Sequence, residues 1–176
     1  MVLVGVEFLA FAEGESGDHP PASMTAVENL DGRFDTVVYC LADDTHHAAT
    51  LAALHRRPGV VVAHDVRLPT LHREAAHAGR LAGGLGDALR RAYGDAIPPG
   101  LGHDGTLDPD DAARRGVLMI RAVAAAATRL FVPTAEAAAL ARLDAAPGDR
   151  PKIAVLSPDP DEAADQILTR PPSPTG

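Results

Sequence analysis

The sequence predicts an α/β domain, with a parallel sheet carrying helices on both faces. Three observations predict it. Short apolar, β-branched runs alternate with longer Ala- and Leu-rich segments bounded by helix start and stop residues. Such alternation favours right-handed crossovers and a sheet covered by the crossover helices. The chain has 176 residues, 46% of them hydrophobic, which is one domain's length with enough apolar side chain for a core. The domain is expected over residues 1–165. Residues 166–176, ending in Pro171-Pro-Ser-Pro-Thr-Gly176, read as a disordered tail.

Each element has its own signal. Val2–Phe11 is a buried strand by its apolar run, and Glu13–Gly32, rich in Gly, Pro, Ser and acids, is a long loop. Asp35–Leu41 is β-branched and apolar, suited to a central parallel strand. Asp43, Asp44 and Thr45 offer turn and N-cap oxygens. His46–Arg57 is a helix with His47, Leu51 and Leu54 on one face, stopped by Pro58-Gly59. Gly59–Ala63 is the next strand, followed by His64-Asp65. Leu68–Arg80 is helical, and Gly79, Gly83, Gly84 and Gly86 then punctuate the chain. Asp87–Tyr93 is a short helix ended by Gly94, and Ile97–Gly105 is a loop. Asp108-Pro-Asp-Asp111 starts a helix running to about Ala126, with a capping Asp, Pro in the first turn and acids at the positive end of the dipole. Thr128–Val132 is a strand, Pro133-Thr134 opens a helix to about Leu143, and Lys152–Leu156 is the last strand.

Composition excludes several functions. The net charge is −8, and Lys152 is the only lysine, so the clustered cations that bind nucleic acid are lacking. The longest apolar stretch, Val117–Ala127, is interrupted by Arg121 and is far short of the ~20 residues that span a bilayer. The apolar start has no basic n-region and carries Glu7, so it is not read as a signal peptide. Cys40 is the only cysteine, which fits a reducing cytoplasm, and a buried strand end is its expected place.

In an open α/β sheet, ligands bind outside the carboxyl ends of the strands. Four such ends are readable: Ala42 to His47, His64-Asp65, Pro133-Thr134 and Ser157-Pro-Asp159. All carry polar side chains behind apolar strands, which gathers His47, His64 and Asp65 on one edge. His46 reads as a solvated neighbour, and His55, His72 and His77 as surface or rim residues of their helices. Asp43, Asp44 and Thr134 read first as caps.

The same residues carry a resemblance. Tyr39-Cys-Leu-Ala-Asp43 with His47 four residues on, then Arg57-Pro-Gly-Val-Val-Val-Ala-His-Asp65 and Leu68, is similar to a pattern in bacterial family 4 (retaining) glycosyltransferases. Ala88-Leu-Arg-Arg-Ala-Tyr-Gly94 resembles the short helix that follows in that family. Ala127-Thr-Arg-Leu-Phe-Val-Pro-Thr134 resembles the strand before the last helix of the family's N-terminal domain. The resemblance covers about residues 34 to 157. It implies one Rossmann-like half of a two-domain GT-B fold, the half that holds the acceptor. The nucleotide-sugar donor, a co-substrate, would be held by a C-terminal domain that nothing in this sequence resembles, so the chain is expected to be incomplete alone. No other cofactor and no bound metal are implied. Carried over residue by residue, His64 faces the reaction centre, Asp65 orients it or contacts substrate, and His47 lines the acceptor side, with Asp43 and Thr134 as further candidate substrate contacts. The sequence departs from the family at Ala42-Asp43, where the family has Gly-Asn, and at Pro133-Thr134, where it has His-Ser.

Two other classes compete. His47, His64, Asp65 and Asp108 or Asp110 are the residue types of a metal-dependent His-Asp phosphohydrolase, although that family places His-Asp on helices. A non-catalytic interaction module is the third reading, with self-association through an uncovered apolar face as its expected sign.

Overall fold

A computed structural model describes residues 36–102 and 106–169. The strand expected at Val2–Phe11 and the loop expected at Glu13–Gly32 lie outside the described residues, as does the end of the tail from residue 170. Four strands, β1 (Val38–Leu41), β2 (Val60–Ala63), β3 (Arg129–Val132) and β4 (Ile153–Val155), form one sheet in the order β1-β2-β3-β4. All three pairings are parallel. The fold class is therefore the α/β, Rossmann-like parallel sheet that the alternation of segments predicts.

Seven α-helices are described: α1 (Ala48–Arg56), α2 (Pro69–His77), α3 (Gly84–Tyr93), α4 (Pro109–Arg114), α5 (Ile120–Ala126), α6 (Ala135–Asp144) and α7 (Pro160–Leu168). Among the described strands the order never reverses, and the right-handed crossovers usual between parallel strands would bring their connecting helices to one face. The core confirms that arrangement. Tyr39, Leu41, Val61, Ala63, Leu130, Val132 and Ile153 form one face and pack with Leu51, Leu71, Leu89, Ile120 and Ala138 from the helices. The described residues cover the opposite face unevenly. There the Arg129 guanidinium lies over the Phe131 ring and donates to the carbonyls of Gln166 and Thr169 at the end of α7. At the β1 end of that face Val38 and Cys40 are exposed. Cys40 is thus not buried as expected, because strand alternation turns it away from the core that Tyr39 and Leu41 enter.

Three other expectations change. The helix expected from Asp108 to Ala126 is two helices. Gly116, at φ +75°, ends α4, and Val117–Met119 runs beside the loop after β2 before α5 begins. The Leu68 amide donates to the Leu118 carbonyl at 2.8 Å, and Arg67 pairs with Met119 in an antiparallel bridge. Helix α3 starts at Gly84, earlier than expected, with the glycines forming its entry. Helix α7 crosses the domain end expected at 165. Its start, Asp159-Pro160-Asp161-Glu162, repeats the cap-proline-acid pattern of α4, and Asp159 accepts from the amides of Asp161 and Glu162. No helix among the described residues is long and apolar enough to cross a membrane.

Candidate functional site

The parallel register fixes which loops are neighbours. Leu41 pairs with Ala63, so β1 and β2 end side by side. The ladder runs one step further, with the His64 amide donating to the Leu41 carbonyl at 2.8 Å. Residues 42–47 and 64–67 therefore leave the sheet together at its carboxyl rim. His64 follows a strand, not a helix, and shares its rim with the loop that carries His47.

Each loop is shaped by its own short polar residues. Asp44 caps a 3-10 turn at Thr45–His47, accepting from the His46 amide at 2.9 Å. The same carboxylate oxygen lies 2.8 Å from His47 Nδ1. A carboxylate only accepts, so Nδ1 carries the proton, and a neutral His47 keeps its Nε2 lone pair available. Slight desolvation works against ionisation of Asp44, but the His47 contact and the loop amides outweigh it and hold the carboxyl below its ordinary range.

Asp43 takes the capping role that its sequence position offered. Its carboxylate accepts the Leu71 amide at 2.7 Å. Helix α2 begins with Leu68 and Pro69 and has no side-chain cap of its own, so Asp43 supplies from β1's loop the oxygen that α2 lacks. Burial raises the Asp43 pKa, the Leu71 amide and Thr70 hydroxyl pull it back, and the nearby Asp65 charge raises it again. The net shift is upward. The backbone amide of Asp43 donates to Asp65 Oδ2 at 3.0 Å. Asp65 is thereby tied to β1's loop, and among the described residues it makes no hydrogen bond with His64.

His64 is exposed, and its imidazole has no hydrogen-bond partner among the described residues. Thr134 caps α6, its hydroxyl accepting the Ala137 amide at 3.1 Å. It stands at the end of β3, next in the sheet to β2, but its oxygen has a structural partner. Of the five residues expected at the site, the rim brings His47, His64, Asp65 and Asp43 to adjacent loops and places Thr134 one strand further along. The metal arrangement fares less well: among the described residues, no three His, Cys, Asp or Glu side chains converge as ligands would. Asp108 caps α4, accepting the Asp111 amide at 2.7 Å.

Two features escaped sequence reasoning. His72, expected at the surface, is fully buried in α2, with Nδ1 2.8 Å from the Leu68 carbonyl and Nε2 without a partner among the described residues. Its signal was present, because Leu68, Leu71, His72 and Ala75 share the helical spacing of one buried stripe. The second is a buried network. The Tyr93 hydroxyl donates to the Asp144 carboxylate at 2.8 Å and accepts the Met119 amide at 2.9 Å, while Asp144 also accepts the Arg121 amide at 3.0 Å. Its members are 51 and 26 positions apart from Tyr93, a separation with no periodic signature. Neither a protein-family model, a curated protein nor a solved structure matches the chain.

Proposed function

We propose that this domain is the acceptor-side half of a retaining glycosyltransferase, with sugar transfer requiring a second, donor-binding lobe. One observation supports the reading above the others: His64 leaves the carboxyl end of a parallel strand with no side-chain partner among the described residues, beside a loop whose His47 is oriented by a carboxylate. Ligand chemistry in open α/β sheets occurs at that rim. An imidazole held at one nitrogen presents the other to a substrate hydroxyl, and His64 is free to face charge developing on a sugar ring. Asp43 and Thr134 act mainly through the helices they cap, and Asp65 fixes the spacing of the two loops. The donor would enter as a nucleotide sugar held by the other lobe.

The test is two-dimensional NMR of the chain, titrated separately with sugar acceptors and with nucleotide sugars. The expected result is that an acceptor moves the His47 and His64 imidazole signals, whereas a nucleotide sugar alone binds weakly. Tight nucleotide-sugar binding by this chain overturns the division of labour. Stoichiometric metal in the purified protein overturns the chemistry. A non-catalytic interaction module is the second reading, favoured by Val38 and Cys40, which are exposed on one sheet face. Concentration-dependent self-association would support it.

A further inference from the structure

The loop after β2 also carries Arg67, three positions past His64. Arg67 is exposed, and its guanidinium has no hydrogen bond or ion pair among the described residues. Its backbone, in contrast, is held firmly. Arg67 pairs with Met119, which is fully buried and sits at φ 64°, the only positive φ outside glycine among the described residues. That conformation is costly for a residue with a Cβ. It is maintained by the Tyr93 hydroxyl on the Met119 amide and by the Asp144 carboxylate behind it. Strain of this kind, over-determined by its surroundings, concentrates where a fold must place a functional group.

Arg67 shares an open cleft of about 360 Å³ with Asp110, Ala113 and Arg114 of α4. Arg114 is only loosely engaged elsewhere, reaching Asp111 at 3.5 Å with its side chain 72% exposed. Two guanidiniums on one cleft stand out in a chain of net charge −8. Guanidinium forks match phosphate oxygens, and a carboxylate beside them can only accept, which suits a hydroxyl on the group that bears the phosphate. We propose that this cleft binds a hydroxylated phosphomonoester, with Arg67 and Arg114 on the phosphate and Asp110 on a hydroxyl. The site stands independently of any role in sugar transfer.

Titration of the full chain with glycerol 3-phosphate, followed by amide NMR, tests the proposal. Inorganic phosphate and glycerol serve as comparisons. Saturable shifts are expected at residues 66–68 and 110–114, with glycerol 3-phosphate tighter than phosphate and glycerol silent. Removing a charged hydrogen-bond donor typically lowers affinity about tenfold or more, so Arg67→Ala and Arg114→Ala should each weaken binding by that factor. Arg150→Ala, which removes an exposed arginine ahead of β4, should leave it unchanged. Both cleft residues are exposed, so neither variant threatens folding. The proposal is overturned by an absence of saturable shifts, or by equal losses in all three variants, which would indicate screening of overall charge alone.

Discussion

Acid should destabilise this domain through His72. The residue is fully buried in α2, and its neutral form donates from Nδ1 to the Leu68 carbonyl. Protonation would add an N–H at Nε2, where no acceptor waits among the described residues, and place a charge among Leu68, Leu71 and Ala75. Burial first, and then the neighbouring His55, depress the pKa from 6.5 to about 4, against the pull of the Leu68 carbonyl. The sign follows from linkage. The unfolded chain takes up this proton near 6.5 and the folded chain only near 4, so stability is complete above about pH 6.5 and declines as pH falls towards 4. At pH 4.5 the loss from this one group is about 2.5 kcal/mol, a large part of the ~5–15 kcal/mol that holds a typical domain together. Asp43 and Asp144 have raised pKa values and act in the opposite direction, gaining relative stability as they protonate. A comparison of variants therefore isolates the histidine. Urea denaturation followed by circular dichroism at pH 7.5 and 4.5 should show wild type losing about 2–3 kcal/mol more than His72→Leu, which keeps the volume and removes the titration. At pH 7.5 the variant should equal or exceed wild type, because the orphaned Nε2 is gone. Equal losses in both proteins, or an imidazole titrating near 6.5 by NMR, would refute the argument.

Three further outcomes are expected. Tyr93→Phe leaves the Met119 amide without its acceptor and Asp144 without its hydroxyl donor, and should cost about 2–4 kcal/mol by chemical denaturation. Asp43→Ala removes the oxygen that caps α2 from another loop and should cost about 1 kcal/mol, with Asp43→Asn recovering most of it. Gly59→Ala places a Cβ 2.5 Å from the Val37 carbonyl oxygen and 2.8 Å from the Tyr39 ring, so it should destabilise by about 1–3 kcal/mol and lower the melting temperature.

The described sheet was legible because each strand is an apolar run that ends abruptly in polar residues. Val60-Val-Val-Ala63 followed by His64 fixes both the strand and the place where it stops. Helix starts were legible wherever a cap and a proline coincide, as at Asp108-Pro109, and the same pair at Asp159-Pro160 shows that α7 was there to be read. Helix continuity was not. The apolar spacing runs through Val117–Ile120, but the backbone there turns aside to pair with Arg67 and Leu68, and only tertiary contact records that choice. The site was half legible. Strand ends identified which residues share a rim, but not which of their polar atoms already have partners. Asp43 illustrates the gap, because the amide it caps lies 28 positions away.

Hydrogen-bond commitment separates scaffold from chemistry along this rim. Asp44 holds a 3-10 turn and His47, Asp43 holds α2, Asp65 holds the Asp43 amide and Thr134 holds α6. Each carboxylate or hydroxyl stabilises a loop or a helix start, and replacing it would move that element as well as remove a functional group. His64 and Arg67 have no such duty among the described residues, yet their backbones are fixed by the Leu41 carbonyl and by Met119. A fixed backbone with an unengaged side chain is the arrangement that pre-organised binding requires, since little ordering remains to oppose a ligand. Loss of ligand binding in His64→Ala or Arg67→Ala without loss of stability would therefore locate function directly. The same loss in Asp43→Ala would not, until the cap on α2 had been shown to survive.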